Sequence, residues 1–123
     1  MSPLLPDEQR QGQIGTVGAA VALEPERDAE ARFQSLAAEW KAGRGHTSSI
    51  SKMCTHPAYQ QVIGMGHRAI PLILRELERA PDHWFWALKA IAGVNPVPRE
   101  ERADIRAMAK HWIEWGRKEG YRW

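Results

Sequence analysis

A chain of 123 residues is long enough for one domain with a single sizeable core. Its 43% hydrophobic and 26% charged residues are ordinary for a globular cytoplasmic protein, and a formal net charge of +2 is too small to argue by itself for a nucleic-acid or membrane partner. Cys54 is the sole cysteine, which excludes an internal disulfide.

The N-terminus lacks the charged and apolar regions of a signal peptide, and no apolar run approaches the roughly 20 residues of a membrane-spanning helix. The expectation is a cytoplasmic, all-helical protein with its core between about residues 26 and 121.

Residues 1–24 read as a flexible tail. Pro3, Pro6, Gly12, Gly15 and Gly18 interrupt any helical run, and no apolar period is visible. A single all-helical domain is expected over residues 25–123. Pro25 suits the first turn of a helix, and Glu26 and Asp28 complement its dipole. Phe33, Leu36, Ala37 and Trp40 then follow at i, i+3, i+4 and i+7, one apolar stripe that Gly43 and Gly45 bring to an end.

The polar stretch 46–53 reads as a loop or one short turn. His56-Pro57 opens a short helix carrying Tyr59, Val62 and Ile63, and Gly64-Met65-Gly66 makes a tight turn after it. Ile70, Ile73, Leu74 and Leu77 mark the next helix, which either starts near Arg68 or bends at Pro71. After Pro81, Asp82 is placed to cap a helix carrying Trp84, Ala87, Leu88 and Ile91, and Gly93 stops it. The short connection predicts that these two helices form an antiparallel hairpin.

Asn95-Pro96-Val97-Pro98 reads as a rigid loop. The last helix is predicted from about Pro98, with Glu100 and Glu101 in its first turn. Ile105, Met108, Ala109, Trp112 and Trp115 form its stripe, and Gly120 closes it. No segment alternates with period two, so no strands are expected.

Residues 64–93 resemble a HEAT-like helical repeat. Gly66, Ala69-Ile70-Pro71-Leu72-Ile73, Glu76-Leu77, Asp82, Ala87-Leu88, Ala90-Ile91 and Gly93 carry the likeness. It implies a hairpin at about 67–92 that stacks on neighbours, here the first and last helices, because a lone unit cannot bury both faces.

From roughly 33 to 121 the chain also resembles a family of small uncharacterised bacterial proteins. His56-Pro57-Ala58-Tyr59-Gln60, Ile63-Gly64-Met65-Gly66, residues 71–77, Pro81-Asp82-His83-Trp84-Phe85-Trp86-Ala87-Leu88 and Asn95-Pro96-Val97 carry that likeness. It implies a bacterial origin, one compact domain, no assigned activity, and a gene beside that of a second small protein. Such an arrangement suits an antitoxin-like or accessory binding partner.

Several residues stand in patterns near those of known sites. Cys54-Thr55-His56 with His46 lacks the ligand number and spacing of a zinc site, and His56 reads as a helix-start residue. Gly64-Met65-Gly66 lacks the strand and the Gly-Lys-Ser/Thr ending of a phosphate loop. Asp82 and His83 are adjacent on a helix and do not face each other. Arg99, Arg102, Arg106 and Lys110 step along one side of the last helix, diluted by Glu100, Glu101, Asp104 and Glu114.

Six tryptophans against two Phe and two Tyr are the compositional oddity, large rings that serve a small core or a binding hot spot. Trp86 lies about 200° around the helix from Trp84 and cannot share its buried face, so either the last helix covers it or it is open to a partner.

The sequence therefore predicts an all-α, compact domain of four main helices plus one short helix, with no metal and no cofactor. The expected function is non-enzymatic binding of another protein or of a second copy, through Phe85, Trp86, Tyr121 and Trp123. The alternative is a small nucleic-acid-binding helical domain that uses the basic side of the last helix.

Overall fold

The computed structural model describes the backbone of residues 14–123 and the side chains of residues 27–123. Among the described residues there are six α-helices and no strand: α1 (Ile14–Gly43), α2 (Ile50–Cys54), α3 (Pro57–Gly64), α4 (Ala69–Arg79), α5 (Phe85–Ala92) and α6 (Ile105–Lys118). Single 3-10 turns lie at Gly66–Arg68 and Arg99–Glu101.

The chain divides into two compact units, Met1–Ala31 and Arg32–Trp123. Of the first, the described part is the helical backbone from Ile14. Helix α1 thus begins well before Pro25, where the sequence places its first turn. The run Ala19-Ala20-Val21-Ala22-Leu23 has high helix propensity, and the helix continues through glycines that cost about 1 kcal/mol each and through Pro25, an interior position that costs about 3 kcal/mol. The expected tail is helical from Ile14 onward, and its remainder, residues 1–13, lies outside the described residues.

The second unit is built around the predicted stripes. Phe33, Leu36, Ala37 and Trp40 of α1 are buried, as are Ile70, Ile73, Leu74 and Leu77 of α4. Tyr59, Val62, Trp84, Ala87, Leu88, Ala109 and Trp112 are among the other residues of that interior. Each stripe exists because residues three and four apart fall on one side of a 3.6-residue helix.

Helix α4 makes its most extensive contact with α6, and α5 with α3. Gly116 lets α4 and α6 approach, since a Cβ there would overlap Leu74 Cδ1. Helix α4 starts at Ala69, next to Arg68 as the first of the two alternatives had it; Pro71 is its third residue, in the first turn, where its missing N–H has no helical partner to lose.

Helix starts differ from expectation where a stronger local partner exists. Helix α2 forms inside the stretch read as a loop, because the Ser49 side chain accepts a hydrogen bond from Lys52 N at 3.3 Å. The last helix starts at Ile105 instead of Pro98: Asp104 accepts from Arg106 N at 3.0 Å and Ala107 N at 3.2 Å. Glu100 and Glu101 belong to the preceding 3-10 turn. His56 does open α3, its Nδ1 accepting from Ala58 N at 3.0 Å.

Asp82 does not cap α5. Its carboxylate binds Arg44 with both oxygens, at 2.9 and 3.0 Å, and accepts from its neighbour His83 N at 2.7 Å. Arg44 also lies 4.2 Å above the Trp40 ring, which ties the end of α1 to the loop before α5. A second carboxylate, Glu76, is only 4% exposed and is held by Arg79 at 2.7 and 2.9 Å and by Lys41 at 3.5 Å.

Burial alone would raise both carboxyls. For Asp82 the hydrogen bonds from Arg44 and His83 outweigh it, and for Glu76 those from Arg79 with the Arg79 and Lys41 charges, so both sit below the ordinary carboxylate range. The unfolded chain therefore takes up these protons at higher pH than the folded one. The stability they supply is complete above the unfolded carboxyl range and is lost as pH falls below about 4.5. Thermal melts across acidic pH should show that decline, and an Asp82→Asn, Glu76→Gln double variant should start less stable at neutral pH and decline less.

Candidate functional site

A groove of about 560 Å³ opens between α2, α5 and the start of α6. That size lies within the roughly 300–1,000 Å³ typical of ligand pockets. Ile50 and Cys54 come from α2, Phe85, Trp86 and Lys89 from α5, and Ile105, Met108 and Trp112 from α6. His83, Asn95 and Arg102 complete the wall from the loops before and after α5.

Each wall is anchored from behind. The carbonyl of Met53 in α2 accepts from Trp40 Nε1 at 2.8 Å, and that of Cys54 accepts from Gln60 Nε2 at 2.7 Å. The N-terminus of α5 is fixed by Tyr59 of α3, whose hydroxyl donates to His83 O at 3.0 Å and accepts from Ala87 N at 2.9 Å. On the third side, Asn95 Oδ1 accepts from Val97 N at 3.1 Å and Arg102 Nε donates to Val97 O at 3.0 Å. A side chain presented by such supports keeps its position, which lowers the ordering cost of binding.

Only three large hydrophobic residues are strongly exposed among the described residues: Ile50, Trp86 and Val94, at 51%, 45% and 47%. Two of them, Ile50 and Trp86, line this groove. Trp86 is therefore not covered by α6, which turns its main contact to α4. Phe85, half-buried beside it, packs against the core.

The four residues expected to bind a partner lie in two places. Phe85 and Trp86 line the groove, and Tyr121 and Trp123 do not. The Tyr121 hydroxyl meets His67 Nδ1 at 3.0 Å and its ring lies 5.7 Å from Trp115. Trp123 Nε1 donates to Glu78 Oε1 at 2.9 Å, while Arg117 pairs with Glu78 and lies 5.3 Å from the Trp123 ring. These contacts fasten the C-terminus to α4 and to the turn at Gly66–Arg68. The polar atoms of Tyr121 and Trp123, both expected to bind a partner, already have partners within the fold.

Of the residues capable of chemistry, Cys54 and His83 share the groove, while His56 caps α3 and Asp82 is engaged by Arg44. No hydrogen bond joins the His83 ring to Cys54 among the described residues. Cys54 is 1% exposed, and burial pushes its thiol pKa up, against a weaker opposing pull from the Tyr59 hydroxyl. A nucleophilic cysteine needs the opposite shift. Iodoacetamide at neutral pH should accordingly label Cys54 at least about tenfold more slowly in the native protein than in urea.

Among the described residues no group of three or more His, Cys, Asp or Glu could hold a metal ion, and no helix is long and apolar enough to cross a membrane. Arg99, Arg102, Arg106 and Lys110 are exposed, with Glu100 and Asp104 exposed among them. Sequence reasoning missed Ile50 and Lys89 as groove residues, since neither stands in a motif. The one available signal was Ser49 as a helix cap, which would have placed Ile50 at the start of a turn instead of in a loop. No known protein family, curated protein or solved structure matches the chain.

Proposed function

We propose that this protein is a non-enzymatic docking domain that binds a second protein through the groove between α2, α5 and α6. The observation that carries the reading is Trp86, a large aromatic left 45% exposed at a supported groove that also holds exposed Ile50. Contiguous apolar exposure of this kind marks interaction surfaces, and tryptophan is enriched among residues that dominate binding energy. An accessory role for the product of a neighbouring gene, in the manner of an antitoxin, fits a small domain with such a groove.

The test is co-expression with the product of the adjacent gene, comparing wild type with Trp86→Ala. Stable co-purification with wild type and its loss with the variant, both folded by circular dichroism, is the expected result. Equal recovery of the partner with both proteins, or with neither, counts against docking at this groove.

A further inference from the structure

The groove carries a charge bias that the chain as a whole does not. Lys and Arg number 17 against 15 Asp and Glu in the full sequence, a near balance. Yet the groove is lined by Lys89 and Arg102, and by no aspartate or glutamate.

Of the carboxylates closest in sequence to these groups, Glu100 is exposed outside the groove lining and the other three are engaged elsewhere. Asp82 is held by Arg44, Glu101 by His111 Nε2 at 3.2 Å, and Asp104 by the N-terminus of α6. Lys89 is exposed and forms no ion pair among the described residues. Arg102 has its Nε committed to Val97 O, which fixes the guanidinium and leaves its two terminal nitrogens for a carboxylate.

We infer that the occupant of the groove is a short segment of the partner protein in which a large apolar side chain stands close to an aspartate or glutamate. The apolar side chain enters beside Phe85, Trp86 and Met108, and the carboxylate meets Lys89 and Arg102. Apolar burial supplies affinity here, and the charge pairing selects the segment by excluding basic ones. This identification rests on the docking reading given above and adds the chemistry of the partner.

A library of random dodecapeptides panned on the immobilised full chain, with Trp86→Ala as the counter-target, tests both parts. Selected peptides are then synthesised with a fluorescein label and measured by anisotropy. The expected peptides combine a Leu, Phe or Trp with Asp or Glu. Trp86→Ala should weaken them by about 30-fold or more, as for a hot-spot tryptophan. Converting their Asp or Glu to Asn or Gln should weaken binding by roughly fivefold, and Lys89→Glu should do the same while improving binding of Lys-bearing versions. Lys89 and Trp86 are exposed, so both variants should keep the wild-type melting profile; Arg102 is left intact because it holds the loop at Val97.

Peptides that need Trp86 but are indifferent to their carboxylates and to Lys89→Glu would overturn this inference and leave docking standing. Failure to select any Trp86-dependent peptide would remove docking as well. A labelled duplex oligonucleotide that binds in a Trp86-dependent manner, weakening steeply with salt, would assign the groove to nucleic acid and overturn both.

Discussion

Trp84→Ala is expected to destabilise the fold by about 4 kcal/mol, the cost of emptying a tryptophan-sized site in a packed interior. Trp84 is fully buried, and three other rings converge on it: Trp40 at 4.4 Å, Phe33 at 5.4 Å and Tyr59 at 5.7 Å, the last stacked within 8° of parallel. These rings come from α1, α3 and the residue preceding α5, so a cavity there loosens three elements together. Against a total stability of about 5–15 kcal/mol for an ordinary domain, the variant would remain only marginally folded.

The cluster also offers an internal comparison. Trp84 Nε1 makes no hydrogen bond among the described residues, whereas Trp40 Nε1 donates to Met53 O at 2.8 Å. Both rings are fully buried, so replacing each with phenylalanine removes similar volume. Trp40→Phe additionally takes the best-placed donor from the Met53 carbonyl, whose other bond, from His56 N, is long at 3.4 Å. Trp40→Phe should therefore cost about 1 kcal/mol more than Trp84→Phe. Urea denaturation midpoints at constant slope measure all three variants; an unchanged midpoint for Trp84→Ala would mean that the aromatic cluster is not the centre of the core.

The helices themselves were legible in the sequence because apolar spacing is a direct image of burial. Every residue of the Phe33 and Ile70 stripes is buried, and the all-α class follows from those stripes and the lack of period-two alternation. The same angular argument placed Trp86 off the Trp84 face. Whether another helix would cover it depended on tertiary packing, and α6 turned to α4, where Gly116 admits it.

Helix ends were less legible for a related reason. Asp82 and Asp104 are the same residue type, each a few residues ahead of an apolar stripe. Arg44, distant in sequence, engages one of them, and the other is left to cap. The groove was hidden most of all. Ile50, Lys89 and Arg102 occupy separate elements, and only the fold brings them to one surface. A buried Glu76 was equally unreadable, since its neutralising partners include Lys41 of another helix.

Tyr59→Phe is the second substitution expected to have a large effect, about 2 kcal/mol, although it deletes a single oxygen. That oxygen is buried and satisfies two backbone groups at once, the His83 carbonyl and the Ala87 N–H. Ala87 is the third residue of α5, so the hydroxyl does for this helix what a capping side chain normally does, but from α3 instead of from the preceding loop. Burial, with the neighbouring Cys54, pushes the phenol above its ordinary range, which keeps it protonated and able to donate.

Phenylalanine preserves the stack with Trp84 and leaves both backbone groups short of a partner, so the loss isolates the cap from the packing. The first two residues of α5 are Phe85 and Trp86, the groove residues proposed to receive a partner. A frayed α5 start should therefore weaken binding without removing any groove side chain. Amide exchange at Ala87 should accelerate in Tyr59→Phe more than exchange within α4 does. Unchanged protection at Ala87 with unchanged stability would show that α5 holds its N-terminus by other means, and Tyr59 would then have no positioning role for Trp86.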